Sequence, residues 1–168
     1  MIIRTQGVKE TVQFGKQLGR LLRSGDVVAL VGELGSGKTH LIKGLAAGVG
    51  VERSVHIASP SFTLIHEYRG RIPFYHIDLY RLATDEEAEE LGLEEYLGRE
   101  GVAAIEWADK ISSLLPEELL WIHLRYLDFR TRSIHIIGKG IRYEELVKEL
   151  EEGIREWHSL FKNTEELR

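Results

Sequence analysis

The chain has 168 residues, a formal net charge of −5 and 43% hydrophobic residues, the size and apolar content of one globular domain. The acidic balance argues against a broad grip on nucleic acid, which needs clustered Lys and Arg, and leaves room only for a local basic patch. The absence of cysteine excludes disulfides and thiolate metal sites, and no apolar run reaches membrane-spanning length. The opening MIIRTQGVKE lacks the apolar stretch of a signal peptide, so a soluble cytoplasmic protein is expected.

No repeat, low-complexity tract or linker divides the chain, which therefore reads as a single domain over residues 1–168. GVKETVQFGKQLGRLLRSGD has helical periodicity, with Val8, Val12, Leu18 and Leu22 near one stripe. Gly7 is its expected cap with Glu10 three positions on, and Gly25 its stop. VVALV at 27–31 is a continuous apolar run of strand length, as in a buried parallel strand. It leads into the glycine loop GELGSGKT at 32–39. A second helix follows with Leu41, Ile42, Leu45, Ala46 and Val49 on one face, stopped by Gly48 and Gly50.

FTLIHEY and IPFYHID, joined by RGR, read as a hairpin. The acidic stretch from Thr84 to Gly101 reads as one or two short helices with a solvated face. VAAIEW at 102–107 is a further buried strand, and LLWIHLRYL and RSIHII form a second antiparallel pair. A C-terminal helix starts at about 142. Leu146, Val147, Leu150, Ile154, Trp157 and Phe161 lie on one side of it, and its last residues fray. The expected fold is α/β, P-loop NTPase-like, with three α/β/α layers around a mixed, largely parallel sheet that carries antiparallel additions.

In GELGSGKT the glycines let several backbone N–H groups point at phosphate oxygens, and the following helix adds the positive end of its dipole. Lys38 is expected to reach the β- and γ-phosphates and the Thr39 hydroxyl to ligate Mg²⁺. Mg²⁺ usually takes one or two carboxylates, and hydrolysis needs an oriented water. Asp78, ending IPFYHID, and Glu106, ending VAAIEW, lie where ligands bind in open α/β sheets, at the carboxyl ends of strands. Such acids also serve simply as turn caps. Ser59, Ser61 and Thr63 in SPSFTLIHEY form either a switch-type loop that senses a γ-phosphate or an ordinary Ser-Pro turn. The seven histidines show no metal spacing and read as surface or core residues. His40 stands beside the phosphate loop or simply in solvent, and Trp107 either lines the site or fills the core, with the core preferred. The aromatic residues do not interleave with a basic run, so no stacking platform for single strands is expected.

GELGSGKT, SPSFTL, YHIDLYRL and IEWAD, in this order and at these separations, resemble the TsaE (YjeE) family over nearly the whole chain. The glycine loop alone is not specific; HIDLYR and IEW together with it are. The resemblance implies a P-loop ATPase of tRNA threonylcarbamoyladenosine (t6A) biosynthesis. Gly35, Ser36, Gly37, Lys38 and Thr39 would bind the phosphates of ATP, with Thr39 on Mg²⁺. Asp78 and Glu106 would act in hydrolysis and metal handling, and Ser61 and Thr63 in the switch-type segment. Thr11, His40 and Arg132 would stand near the nucleotide. Two positions depart from the family pattern: Ser61 stands where Thr is commoner, and His40 where a second Thr is common. The implied partners are TsaD and TsaB, which carry out the transfer, with tRNA reached only indirectly through that complex.

Two other readings compete. A small-molecule kinase needs an acceptor pocket and an arginine-bearing lid, and no lid insertion is evident. A nucleotide-gated assembly module would use ATP to order SPSFTL, with hydrolysis incidental. A GTPase is disfavoured by the absence of N-K-x-D.

Overall fold

The structure is a computed structural model that describes the backbone of residues 1–165 and the side chains of residues 1–84 and 86–155. Seven strands form one sheet: β1 (Ile2–Gln6), β2 (Val27–Val31), β3 (Ile65–Tyr68), β4 (Phe74–Asp78), β5 (Val102–Glu106), β6 (Leu119–Tyr126) and β7 (Thr131–Lys139), in the order β1-β7-β6-β2-β5-β4-β3. The central run β6-β2-β5-β4 is parallel; β7 and β1 on one side and β3 on the other join through antiparallel pairs.

Hydrophobic patterning explains the split. Val27 to Leu30 and Val102 to Ile105 are buried throughout, as central strands covered on both faces must be. β6 and β7 alternate instead. Leu120, Ile122, Leu124, Ile134 and Ile136 are buried, while His135 and Ile137 between them are exposed. β1 was not legible as a strand. In IIRTQ, Ile2 is exposed and the polar Thr5 is buried, so the apolar alternation is broken.

Helices α1 (Gly7–Leu21), α2 (Lys38–Val49) and α4 (Ile141–Glu165) cover one face. On the other, α3 (Asp85–Glu90) and two 3₁₀ turns (Leu93–Glu95 and Ala108–Ile111) cover the parallel strands, with Tyr96 edge-on to Tyr75 and Ile111 fully buried. On β6 the residues between the buried Leu120, Ile122 and Leu124, namely Trp121 and His123, are half-buried.

Several expected details change. Val8 is 52% exposed, and the buried face of α1 is Thr11, Phe14, Gly15, Leu18 and Gly19. Gln6 rather than Gly7 is the cap, its N–H donating to Glu10 Oε2 at 2.6 Å, and the helix ends at Leu21, before Gly25. Gly48 does not stop α2; Gly50 does, with φ +95° and its N–H turned back to the last-turn carbonyls. Gly48 belongs instead to a contact between α1 and α2. A Cβ on Gly44 would lie 2.2 Å from Val12 O, and one on Gly48 2.4 Å from Lys16 O. Opposite them stand Gly15 and Gly19, so the two helices touch backbone to backbone, and this seats α2 and its N-terminal loop. FTL of FTLIHEY turns rather than extends, and β3 begins at Ile65. In α4, Tyr143, Leu146 and Leu150 are buried, and Val147 and Ile154 pack against the core. The side chains of Trp157 and Phe161 and the fraying end lie outside the described residues. No helix among the described residues is long and apolar enough to cross a membrane.

Candidate functional site

The carboxyl ends of β2, β4 and β5 meet the start of α2. In parallel strands, residues in register share one level of the sheet, and Asp78 pairs in register with Glu106, as Leu30 does on the other side. The sequence thus delivers two acids to neighbouring strand ends beside the loop that follows Val31. A cavity of about 340 Å³ opens there. Its lining includes Gly35, Gly37, Lys38, Thr39 and His40 from the loop and helix, Ser59 and Ser61 from the segment before β3, and Asp78, Tyr80, Glu106 and Trp107.

Gly37 has φ +105°, a left-handed conformation that L side chains rarely adopt, and it turns the chain into α2. The Lys38 ammonium donates to Gly32 O at 2.6 Å and Glu33 O at 2.9 Å, and lies 4.0 Å from the centroid of the Trp107 ring. Burial holds its pKa below the ordinary lysine value, opposed by the nearby charges of Glu106, Asp78 and Asp109. Ser36 is fully buried beneath the loop, with its hydroxyl 3.5 Å from the same ammonium.

Glu106 is 3% exposed and collects two hydrogen bonds on one oxygen. Thr39 Oγ1 donates to Oε1 at 2.8 Å, and His76 Nε2 lies 2.8 Å from the same atom. Asp78, also 3% exposed, accepts from Ser59 Oγ and from the Tyr80 N–H at 2.9 Å. Among the described residues, two without glycine's freedom have positive φ, Leu64 at 67° and Trp107 at 60°. One follows SPSFT and the other directly follows Glu106. Non-glycine residues in this region cost of order 1–3 kcal/mol each and cluster at functional sites.

The remaining expected residues divide. His40 lines the cavity, half-buried, with its pKa lowered by burial and by Lys43 and Arg132. Arg132 stands at the edge of the loop. Its Nε lies 4.0 Å from where a side chain on Gly37 would begin, its Nη1 donates to Asp128 O at 2.8 Å, and its guanidinium rests 4.5 Å over the Tyr126 ring. Thr11 does not line the cavity; its hydroxyl sits 2.8 Å from Thr5 Oγ1, and Thr5 is the register partner of Arg132. Thr63 is exposed and outside the lining, whereas Ser59 is inside and bonded to Asp78. Trp107 meets both expectations: it packs against the core and lines the cavity beside Lys38. His76, expected only as one of seven surface or core histidines, is indeed buried but also meets Glu106. Its one signal was the spacing His76-x-Asp78, which puts both side chains on one face of β4.

A buried strand, a glycine loop and a helix, with two acids at adjacent strand ends, define this chain as a P-loop NTPase-like α/β protein. Residues 5–134 match the profile of the family described as threonylcarbamoyl adenosine biosynthesis protein TsaE, and the chain belongs to that family. It is 43% identical over 148 residues to the tRNA threonylcarbamoyladenosine biosynthesis protein TsaE of Bacillus subtilis (strain 168), covering 88% of this chain and 91% of that one. Against the protein of the same name from Treponema pallidum (strain Nichols) the identity is 42% over 132 residues, 79% of this chain and 96% of that one. The crystal structure of Bacillus subtilis YdiB superposes with a TM-score of 0.79 at 37% identity, covering 91% of this chain and 95% of that one.

Proposed function

We propose that this protein is a Mg²⁺-dependent ATPase that serves t6A modification of tRNA, acting with TsaB and TsaD and stimulated by them rather than carrying out the transfer itself. The observation that carries this reading is the hydrogen bond from Thr39, at the head of α2, to the buried Glu106 at the end of β5. It joins the phosphate-binding element to the acid that a hydrolase needs.

The donor set fits Mg²⁺ with a nucleotide. Among the described residues no group of three or more His, Cys, Asp or Glu could hold a metal alone. Two carboxylates and a hydroxyl of the kind seen here suit Mg²⁺, which is usually bound by one or two carboxylates together with substrate phosphates. Thr39, Glu106 and Asp78 would hold it, and bound there it would neutralise charge on the phosphates. Around Gly35 no atom lies within 4 Å of where a side chain would begin, so that stretch of loop backbone has room beside it.

The chain's own groups have distinct tasks. The loop N–H groups and Lys38 hold the phosphates, Lys38 exchanging its carbonyl partners for phosphate oxygens. Glu106 or Asp78 orients the attacking water. Ser59 and Tyr80 fix the Asp78 carboxylate, so a ligand that rearranges SPSFTL also moves this acid. No arginine of the described residues lines the cavity, and Arg132 at its edge is engaged with Asp128 O and Tyr126. The isolated protein is therefore expected to be slow, since an arginine supplied in trans contributes about 10³ to 10⁵ in rate. An acidic chain suits protein partners better than a direct grip on tRNA.

Phosphate release from ATP, with and without Mg²⁺ and purified TsaB–TsaD, tests this. Slow Mg²⁺-dependent release raised by the pair is expected; no ATP binding, or no effect of the pair, contradicts it.

One observation favours a second reading, a nucleotide-gated assembly module. Leu34, which lines the cavity, is 77% exposed, and Phe62, next in sequence to the lining residue Ser61, is 82% exposed, two large apolar groups in the two loops that flank the site. Under that reading Glu106→Ala keeps biological function. Under the ATPase reading it still binds ATP and loses turnover.

A further inference from the structure

We infer that His76 is a positioning residue that holds the Glu106 carboxylate in its working orientation, an inference that rests on the role proposed for Glu106. His76 is completely buried in the middle of β4, a place where a histidine is costly unless its nitrogens are used. Its Nε2 lies 2.8 Å from Glu106 Oε1. Its Nδ1 has no hydrogen-bond partner among the described residues. A ring chosen only to fill the core would be served by an apolar residue, so the single contact to Glu106 is the reason the imidazole is there.

The network also fixes which way the proton points. Glu106 Oε1 already accepts from the Thr39 hydroxyl, and an ionised carboxylate only accepts. His76 is therefore the donor, with hydrogen on Nε2. Both hydrogen bonds fall on Oε1, so Oε2 is the oxygen free to serve the cavity. Thr39 alone cannot fix the carboxylate, because its hydroxyl is needed by the nucleotide site. Donation from β4 persists when Thr39 is drawn away. Asp78 has its own anchors in Ser59 and Tyr80, so each acid is held by separate groups.

Three variants and one spectrum test this. His76→Leu keeps comparable bulk and removes the donor; His76→Gln restores an N–H at the reach of Nε2. Urea unfolding identifies the folded variants. ATP affinity, with and without Mg²⁺, is read from the fluorescence of Trp107 beside Lys38, with Trp107→Phe as control. Expected for folded His76→Leu are unchanged Mg²⁺-free ATP affinity, at least about tenfold loss of both kcat and the Mg²⁺-dependent part of binding, and recovery to within about threefold in His76→Gln. Wild-type values in His76→Leu, or equal losses in both variants, overturn the inference. Long-range ¹H–¹⁵N correlation of the wild-type imidazole supplies a readout independent of hydrolysis. Hydrogen on Nε2 is expected, and hydrogen on Nδ1 alone removes the donor and overturns the assignment even if the protein hydrolyses ATP. Failure of wild type to hydrolyse ATP strikes the ATPase reading instead; the tautomer and the Mg²⁺-dependent binding then still decide the role of His76.

Discussion

Two buried carboxylates sit at opposite ends of the parallel strands, and their surroundings differ in kind. Asp26, just before β2 and 5% exposed, is closed on all sides. Arg142 reaches it twice, Nε to Oδ1 at 3.2 Å and Nη2 to Oδ2 at 2.7 Å, and the Arg23 N–H adds a third bond at 2.8 Å. Arg142 in turn donates to Leu21 O, tying α1, β2 and α4 together. Glu106, at the far end of β5, has a hydroxyl and an imidazole but no guanidinium. Lys38, whose pKa burial lowers and the Glu106 charge raises, spends its hydrogens on loop carbonyls. A carboxylate whose charge is matched inside the protein holds structure. One kept buried with no cationic side chain paired to it as Arg142 is to Asp26 suits a cation from outside, and the strained Trp107 stands beside it.

The comparison can be broken most directly at the site end. Lys38→Ala removes the cation of the phosphate cradle and should abolish ATP binding by equilibrium titration while leaving the folded chain intact. Glu106→Gln should lower kcat on the order of 10²-fold or more with ATP affinity retained, measured by phosphate release under saturating ATP. At the other end the pattern inverts. Asp26→Ala strands the Arg142 guanidinium and should cost about 3 kcal/mol in urea unfolding, with kcat per folded molecule unchanged. Replacing Asp26 and Arg142 together by Leu and Met should recover most of that loss, because a matched pair is exchangeable for apolar packing.

Two smaller effects sharpen the picture. Gly44→Ala pushes a methyl group into Val12 O and should cost about 1–3 kcal/mol by separating α1 from α2, read as a lower urea midpoint. The pH dependence of Lys38 has a defined sign. Its folded pKa lies below the ordinary 10.5, chiefly through burial. Between the two values the unfolded chain binds more protons, so stability from this group rises with pH in that window. Wild type should therefore gain on Lys38→Met in urea midpoint as the pH is raised toward 10.5, and a relative loss would contradict the direction.

The sequence was most informative where one local rule sufficed. VVALV and VAAIEW announce buried parallel strands by unbroken apolar character, and GELGSGKT between a strand and a helix announces its loop. Asp78 and Glu106 were visible because acids that end apolar runs fall at the carboxyl edge of the sheet. What stayed hidden depends on contacts between distant residues. β1 is held by pairing with β7, not by its own alternation. Gly15, Gly19, Gly44 and Gly48 look like interruptions until two helices are brought together. His76 looks like a core residue until β5 places Glu106 beside it, and Trp107 is pulled to the site by a positive φ that no composition shows. Ser59 rather than Thr63 meets Asp78 because the chain turns through FTL instead of extending.

The measurement that bears most directly on the contrast between the two carboxylates is a paired assay of Glu106→Gln and Asp26→Asn. Each would be followed by Mg²⁺-dependent phosphate release from ATP, with TsaB–TsaD present, and by urea unfolding. The account predicts that Glu106→Gln unfolds at or above the wild-type midpoint yet releases almost no phosphate, while Asp26→Asn unfolds earlier and turns over normally when folded. Wild-type turnover in Glu106→Gln, or a loss of stability there equal to that of Asp26→Asn, would contradict it.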